Sequence, residues 1–168
     1  MNMKKAIFLV TGIVCMQFVQ AQLTATPACP VFSVDVLEGT INEKLDCSST
    51  AGEVKKIFPC VSETVEETGG AGCGGVFFKD KGISFITERD YIEINEKFKG
   101  KLTPALMGAS RGSLFKLLGN PKLQDQDWEA YLTKFGLLVL YYDKAGKIIK
   151  LQITNKAPDA LKLCDTVQ

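Results

Sequence analysis

The sequence contains no histidine. That removes the usual general acid and base near neutral pH, the usual base partner of a serine or cysteine nucleophile, and the commonest metal ligand. Tryptophan occurs once, at Trp128. There is no C-x-x-C pair, and the cysteine spacings are unlike zinc motifs, so we expect no metal and no cofactor. An excess of either charge is also lacking: 20 basic and 19 acidic residues leave a net charge of +1, which gives no electrostatic footprint for nucleic acid. No apolar run reaches the roughly 20 residues of a membrane-spanning helix. What is present is 46% hydrophobic residues over 168, enough for one domain or two small repeats sharing a core.

The chain opens with Lys4 and Lys5, an apolar run from Ala6 to Val14, and a small-residue exit at Val19-Gln20-Ala21. This is the pattern of a secretory signal peptide over residues 1–21, so we expect an exported protein, periplasmic or secreted, with no transmembrane span after processing. Cleavage removes Cys15 and leaves Cys29, Cys47, Cys60, Cys73 and Cys164. Export makes disulfides the expected state of these five, and an odd count leaves one over. Cys47 and Cys60 bracket a helical stretch. Ten helical residues separate them by about 15 Å, beyond the roughly 7 Å Cα limit of a disulfide, so they should not pair. A Cys60–Cys73 bond would constrain the long loop between them, worth about 3 kcal/mol on the chain-entropy account. Cys29, Cys47 and Cys164 compete for the same partners.

The chain repeats itself. Residues 51–58 read AGEVKKIF and residues 111–118 read RGSLFKLL, each with apolar positions at i, i+3 and i+4 of an amphipathic helix. Thr50 with Glu53 forms a capping-box pattern, and Ser110 is placed to cap the second helix. Pro59 and Gly119-Asn120-Pro121 stop them. Downstream, an aromatic precedes a glycine by five residues in both copies, Phe77 to Gly82 and Tyr131 to Gly136, and a hairpin follows each glycine. The closing strand of the first copy, residues 91–95, is expected to lead into the second. The units are residues 22–96 and 97–155, with 156–168 a tail that has room for a short helix. Ile92 and Ile94 alternate with Tyr91, Glu93 and Asn95, and Ile149, Leu151 and Ile153 alternate with Lys150 and Gln152. This is the pattern of an antiparallel sheet covered on one face. The fold class is α+β: two tandem repeats of helix plus antiparallel hairpin, forming a twisted antiparallel sheet with helices on one face.

The run G-x-S-R-x-x-L-x-x-L-L-G-x-P over 108–121, followed by Trp128, Tyr131, Gly136-Leu137, Tyr142-Asp143 and Gly146-Lys147-Ile148, resembles the helix-plus-hairpin unit of the BamE/SmpA outer-membrane lipoproteins and the β-lactamase inhibitor protein. It also resembles small bacterial immunity-type domains. The resemblance covers 108–153, and more weakly 32–95. It implies a tandem α/β repeat that binds another protein and is not an enzyme. The lipidated cysteine of the BamE type is missing, and no inhibitor contact residue matches one by one, so the partner does not carry over.

Other motifs are weaker. The glycine-rich loop at 69–75 lacks the Gly-Lys-Ser/Thr of a phosphate cradle and runs into strand residues, so it reads as a flexible loop. Glu63, Glu66, Glu67 and Asp80 are acids in or beside that loop, read as solvated. Cys29 and Cys73 lack the neighbouring base that activates a thiol. Trp128 is either a binding anchor or a residue packed over a helix end. We expect an exported, non-enzymatic protein-binding module of the cell envelope: an inhibitor, immunity factor or assembly scaffold. The alternative is a small secreted enzyme or a small-molecule-binding envelope protein. The expected binding surface is the outward sheet face: Tyr91, Glu93, Asn95, Lys150 and Gln152, with Trp128 and Tyr141 on it or at its rim.

Overall fold

The computed structural model describes residues 28–66, 73–161 and 164. The leader at 1–21, Glu67, residues 69–72 of the glycine-rich loop and the tail positions 162–163 and 165–168 lie outside the described residues. In chain order the elements are β1 (Ser33–Asp35), β2 (Thr40–Ile41), α1 (Ala51–Ile57), β3 (Glu63–Val65), β4 (Gly75–Phe78), β5 (Ile83–Ile86) and β6 (Tyr91–Asn95). The second unit follows with β7 (Lys101–Thr103), a 3-10 turn (Arg111–Leu114), α2 (Phe115–Leu118), β8 (Leu123–Gln124), β9 (Trp128–Leu132), β10 (Leu137–Tyr142) and β11 (Ile148–Thr154). A 3-10 turn at Pro158–Ala160 lies in the tail.

The α+β class and the tandem helix–hairpin order are as read from the sequence. Eight strands form one antiparallel sheet in the order β3-β4-β5-β6-β11-β10-β9-β8. Each unit lays its strands from the edge inward, and the two closing strands β6 and β11 meet at the centre. The lead-in to the second unit is a separate strand, β7, and not the closing strand of the first. β7 pairs in parallel with β1, and β2 joins them in a second, three-stranded sheet.

The first helix forms for the reason its sequence suggests. The Glu53 amide donates to Thr50 Oγ1 at 3.3 Å and the Thr50 amide donates back to Glu53 Oε2 at 2.8 Å. Its stripe buries Val54 and Phe58 completely. The second helix does not form as one element. A 3-10 turn runs to Leu114, a single α turn follows, and Ser110 makes no side-chain cap. Ser110 is instead bridged to Lys147, and the Arg111 amide donates to the Gly146 carbonyl at 2.9 Å. The β10–β11 turn therefore holds the start of this segment. Leu114 is its buried residue, while Phe115 and Leu117 are exposed.

The main core lies between the inner face of the large sheet and a layer made of α1, the small sheet and the 111–118 segment. Phe32 stacks on Phe58 with ring centroids 3.9 Å apart, and Phe78 and Phe85 continue the cluster edge to face. That stacking decides the cysteine pairing. Cys29 lies three residues before Phe32 and Cys60 two after Phe58, and they are bonded with Cα atoms 5.3 Å apart. The second bond is Cys73–Cys164, Cα atoms 5.9 Å apart, and Cys47 is a buried free thiol. The expected Cys60–Cys73 bond is thus overturned, while Cys47 and Cys60 stay unpaired with each other as expected.

Two details of the repeat differ from the sequence pattern. Phe77 is paired with Ser84 on the outer face, whereas Tyr131 belongs to the core face, so the matched aromatic–glycine spacing joins residues of opposite orientation. A bulge between Tyr141 and Tyr142 pairs Tyr142 with Ile148 and Tyr141 with Lys150. Ile148 therefore takes the core position and Ile149 is the extra residue.

Candidate functional site

Strand alternation and register assemble the outer face of the large sheet. One row across it runs Trp128, Tyr141, Lys150, Asn95; the next runs Ala130, Val139, Gln152, Glu93; a third runs Leu137, Thr154, Tyr91. All seven residues expected at a binding surface therefore share one face, drawn from four strands of both repeats.

Four of their side chains, Tyr141, Gln152, Glu93 and Lys150, form a connected polar group. The Tyr141 hydroxyl donates to Gln152 Oε1 at 3.0 Å, and Gln152 Nε2 donates to Glu93 Oε2 at 2.8 Å. Lys150 Nζ lies 3.5 Å from the same Glu93 oxygen and 4.0 Å from the centroid of the Tyr141 ring. The ammonium is thus shared between a carboxylate and an aromatic face. Burial raises the Tyr141 phenol above its ordinary value, and the Glu93 charge adds to this. These contacts link Tyr141, Gln152, Glu93 and Lys150 and set the Tyr141 ring beside a compensated charge pair, with Trp128 its register neighbour.

The face is not the open surface the alternation suggests. Tyr91 is 3% exposed and Gln152 is fully buried, while Glu93, Asn95, Trp128, Tyr141 and Lys150 are half-buried. The chain returns over this face after β11. Lys156 is ion-paired with Asp90, Leu161 packs against Ala130, Leu137 and Val139, and the Cys164 amide donates to the Tyr91 hydroxyl at 3.3 Å. Burial pushes the Tyr91 phenol up to about 12.

A second polar cluster sits on the core face and was not singled out in the sequence. Arg111 Nε donates to Glu129 Oε1 at 2.8 Å, and the hydroxyls of Tyr131 and Tyr142 donate to Glu129 Oε2 at 2.6 and 2.7 Å. The other guanidinium nitrogens donate to the carbonyls of Gln126 and Asp125, and the guanidinium lies 4.8 Å from the Tyr142 ring centroid. Burial alone would raise the Glu129 carboxyl, but the three donors outweigh it and hold the carboxyl below its ordinary value. Burial and the bond to Glu129 push Tyr131 up to about 12. The sequence signal was there: Glu129 alternates with Trp128 and Ala130 and so falls on the core face, where a carboxylate requires donors. The cluster ties the 111–114 turn to the sheet.

The loop acids do not converge. Glu63 is ion-paired with Lys79, and Asp80 accepts from Lys81 and, at 3.2 Å, from the Ser62 hydroxyl. No group of three or more potential metal ligands is found among the described residues, and no helix there is long and apolar enough to cross a membrane. Comparison with protein-family models, curated proteins and solved structures finds no match to this chain.

Proposed function

We propose that the chain is an exported, non-enzymatic protein-binding module of the cell envelope, an inhibitor, immunity factor or assembly scaffold, as the resemblance of its repeat to the BamE/SmpA and β-lactamase-inhibitor group implies. The observation that carries this reading is the row Trp128, Tyr141, Lys150, Asn95. It is half-exposed, runs across both repeats, and combines two aromatics with a cation held in fixed geometry. The two disulfides are consistent with an oxidising compartment, and the leader pattern at 1–21 supplies the route there.

The test is affinity capture by the mature protein from an envelope extract, run beside a Trp128→Ala variant whose fold is verified by circular dichroism. A discrete partner that the variant captures at least several-fold less supports the reading. Equal capture by both forms moves the interface off this row, and no discrete partner in extracts of the native envelope overturns the reading.

A further inference from the structure

The apolar part of the outer face is covered by the chain itself. Ala130, Leu137 and Val139 are fully buried, and Leu161 of the C-terminal segment packs on them. Three residues further on, Cys164 is bonded to Cys73, 91 positions away at the entry to β4, and its amide reaches the Tyr91 hydroxyl. Among the described residues, the remaining attachments are modest. The Lys156–Asp90 pair is 40% and 34% exposed, and such pairs contribute little in water. Leu161 is only half-buried.

The two disulfides are placed differently. Cys29 and Cys60 both pack against the main core, beside the stacked Phe32 and Phe58. Opening that bond leaves both cysteines held where they are. Among the described residues, neither apolar cluster contains Cys73 or Cys164. Opening this second bond leaves, among the described residues, the segment after β11 held by Leu161, the Cys164 amide, the Lys156–Asp90 pair and the exposed Asn155–Ser48 hydrogen bond.

We propose that Cys73–Cys164 is a latch. It keeps the C-terminal segment on the outer sheet face, and reduction of the bond by a dithiol releases that segment and uncovers Ala130, Leu137, Val139 and Tyr91. The chemistry is thiol–disulfide exchange. A thiolate of the dithiol attacks one sulfur of the bond and displaces the other cysteine as a thiolate. The second thiol of the reductant then resolves the mixed disulfide. Two electrons and two protons pass to Cys73 and Cys164, and the dithiol leaves as a disulfide. The occupant of the face in the oxidised state is the chain's own tail. The inference goes beyond the protein-binding reading and stands without it, because its readouts require no partner.

The experiment compares the oxidised full chain with a Cys73→Ser/Cys164→Ser double variant, which leaves Cys29–Cys60 intact. Two quantities are read: the position at which a broad-specificity carboxypeptidase stops, by intact mass, and the fluorescence of an apolar dye. In the oxidised chain trimming stops at or before Cys164 and dye fluorescence is low. In the double variant we expect trimming past Leu161 and a dye signal several-fold higher, with an unchanged far-ultraviolet spectrum. A folded double variant that still stops before Leu161 and binds no more dye overturns the latch. Should the double variant not fold, the same readings are taken on wild-type chain titrated with dithiothreitol and alkylated. A species alkylated at Cys73 and Cys164 but not at Cys29 or Cys60, with an open tail, supports the proposal. Earlier reduction of Cys29–Cys60, or a tail that stays protected after Cys73–Cys164 opens, overturns it.

Discussion

Gln152 donates its side-chain amide to Glu93 at 2.8 Å across β6 and β11, the strand pair where the two repeats join. The two are register partners, and Gln152 also accepts from Tyr141. A fully buried amide bridging a phenol and a carboxylate is costly to remove from one side only, because Tyr141 then loses its acceptor and Glu93 keeps only the Lys150 ammonium at 3.5 Å. We predict that Gln152→Leu destabilises the protein by about 2 kcal/mol, despite its greater hydrophobicity. Urea unfolding checks this, and a variant as stable as wild type would show that Glu93 and Tyr141 reach water at this junction.

Gly136 supplies a second prediction. Its φ is +147°, and a Cβ there would run into the Thr154 carbonyl oxygen of the neighbouring strand. Gly112 has open space around its missing Cβ and no positive φ. Alanine at Gly136 should therefore cost more than about 1 kcal/mol, while alanine at Gly112 should be neutral or stabilising by up to about 1 kcal/mol. Thermal unfolding of the two variants decides between this backbone account and a general sensitivity of the second repeat.

The parts of the fold legible in the sequence were those set by local chemistry. The Thr50–Glu53 box, the Val54 and Phe58 stripe, and the inward Ile92, Ile94, Leu151 and Ile153 depend on residues a few positions apart. The second helical stretch lies where its period puts it, at 111–118, but begins as a 3-10 turn without the Ser110 cap: with Phe115 and Leu117 exposed, only Leu114 anchors it fully. The outer face was placed correctly, with all seven residues on one side. Its exposure was not, because that depends on where residues after 155 return, and a bond spanning 91 positions leaves no local trace. For the same reason Cys60 was matched to the nearer Cys73, although the Phe32–Phe58 stack brings it to Cys29.

Glu129 makes stability depend on acid pH. Its folded carboxyl lies below the ordinary 4.5, so near and below that value the unfolded chain binds more protons than the folded one. The contribution is fully present above the unfolded value and is lost as pH falls through the folded one. Glu129→Gln keeps an acceptor for the tyrosines but removes the charge facing Arg111. It should cost about 1–3 kcal/mol at pH 7 and flatten the fall in stability below the ordinary carboxylate range. Denaturant unfolding at pH 7 and at acid pH measures both, and an acid slope identical to wild type would assign the effect to other carboxylates.

Cys47 carries the last prediction. It is 6% exposed and unpaired, and burial, followed by the nearby charge of Asp46, pushes its thiol up to about 11. Alkylation needs the thiolate, so at pH 8 both the scarcity of thiolate and the lack of access oppose reaction. A shift from 9.0 to about 11 lowers the thiolate fraction on the order of 100-fold before access is counted. The folded oxidised protein prepared without residues 1–21, and so without Cys15, should therefore take up almost no iodoacetamide at pH 8, and one equivalent at Cys47 once urea unfolds it. The linkage runs the other way from that of Glu129. A raised thiol contributes stability that is present below 9 and is lost as pH rises through the folded value. Cys47→Ala should remove that alkaline loss while costing some packing at all pH values. Peptide mass mapping of native and unfolded samples locates the label, and rapid native labelling at Cys47 would show that the core around it opens far more readily than its burial implies.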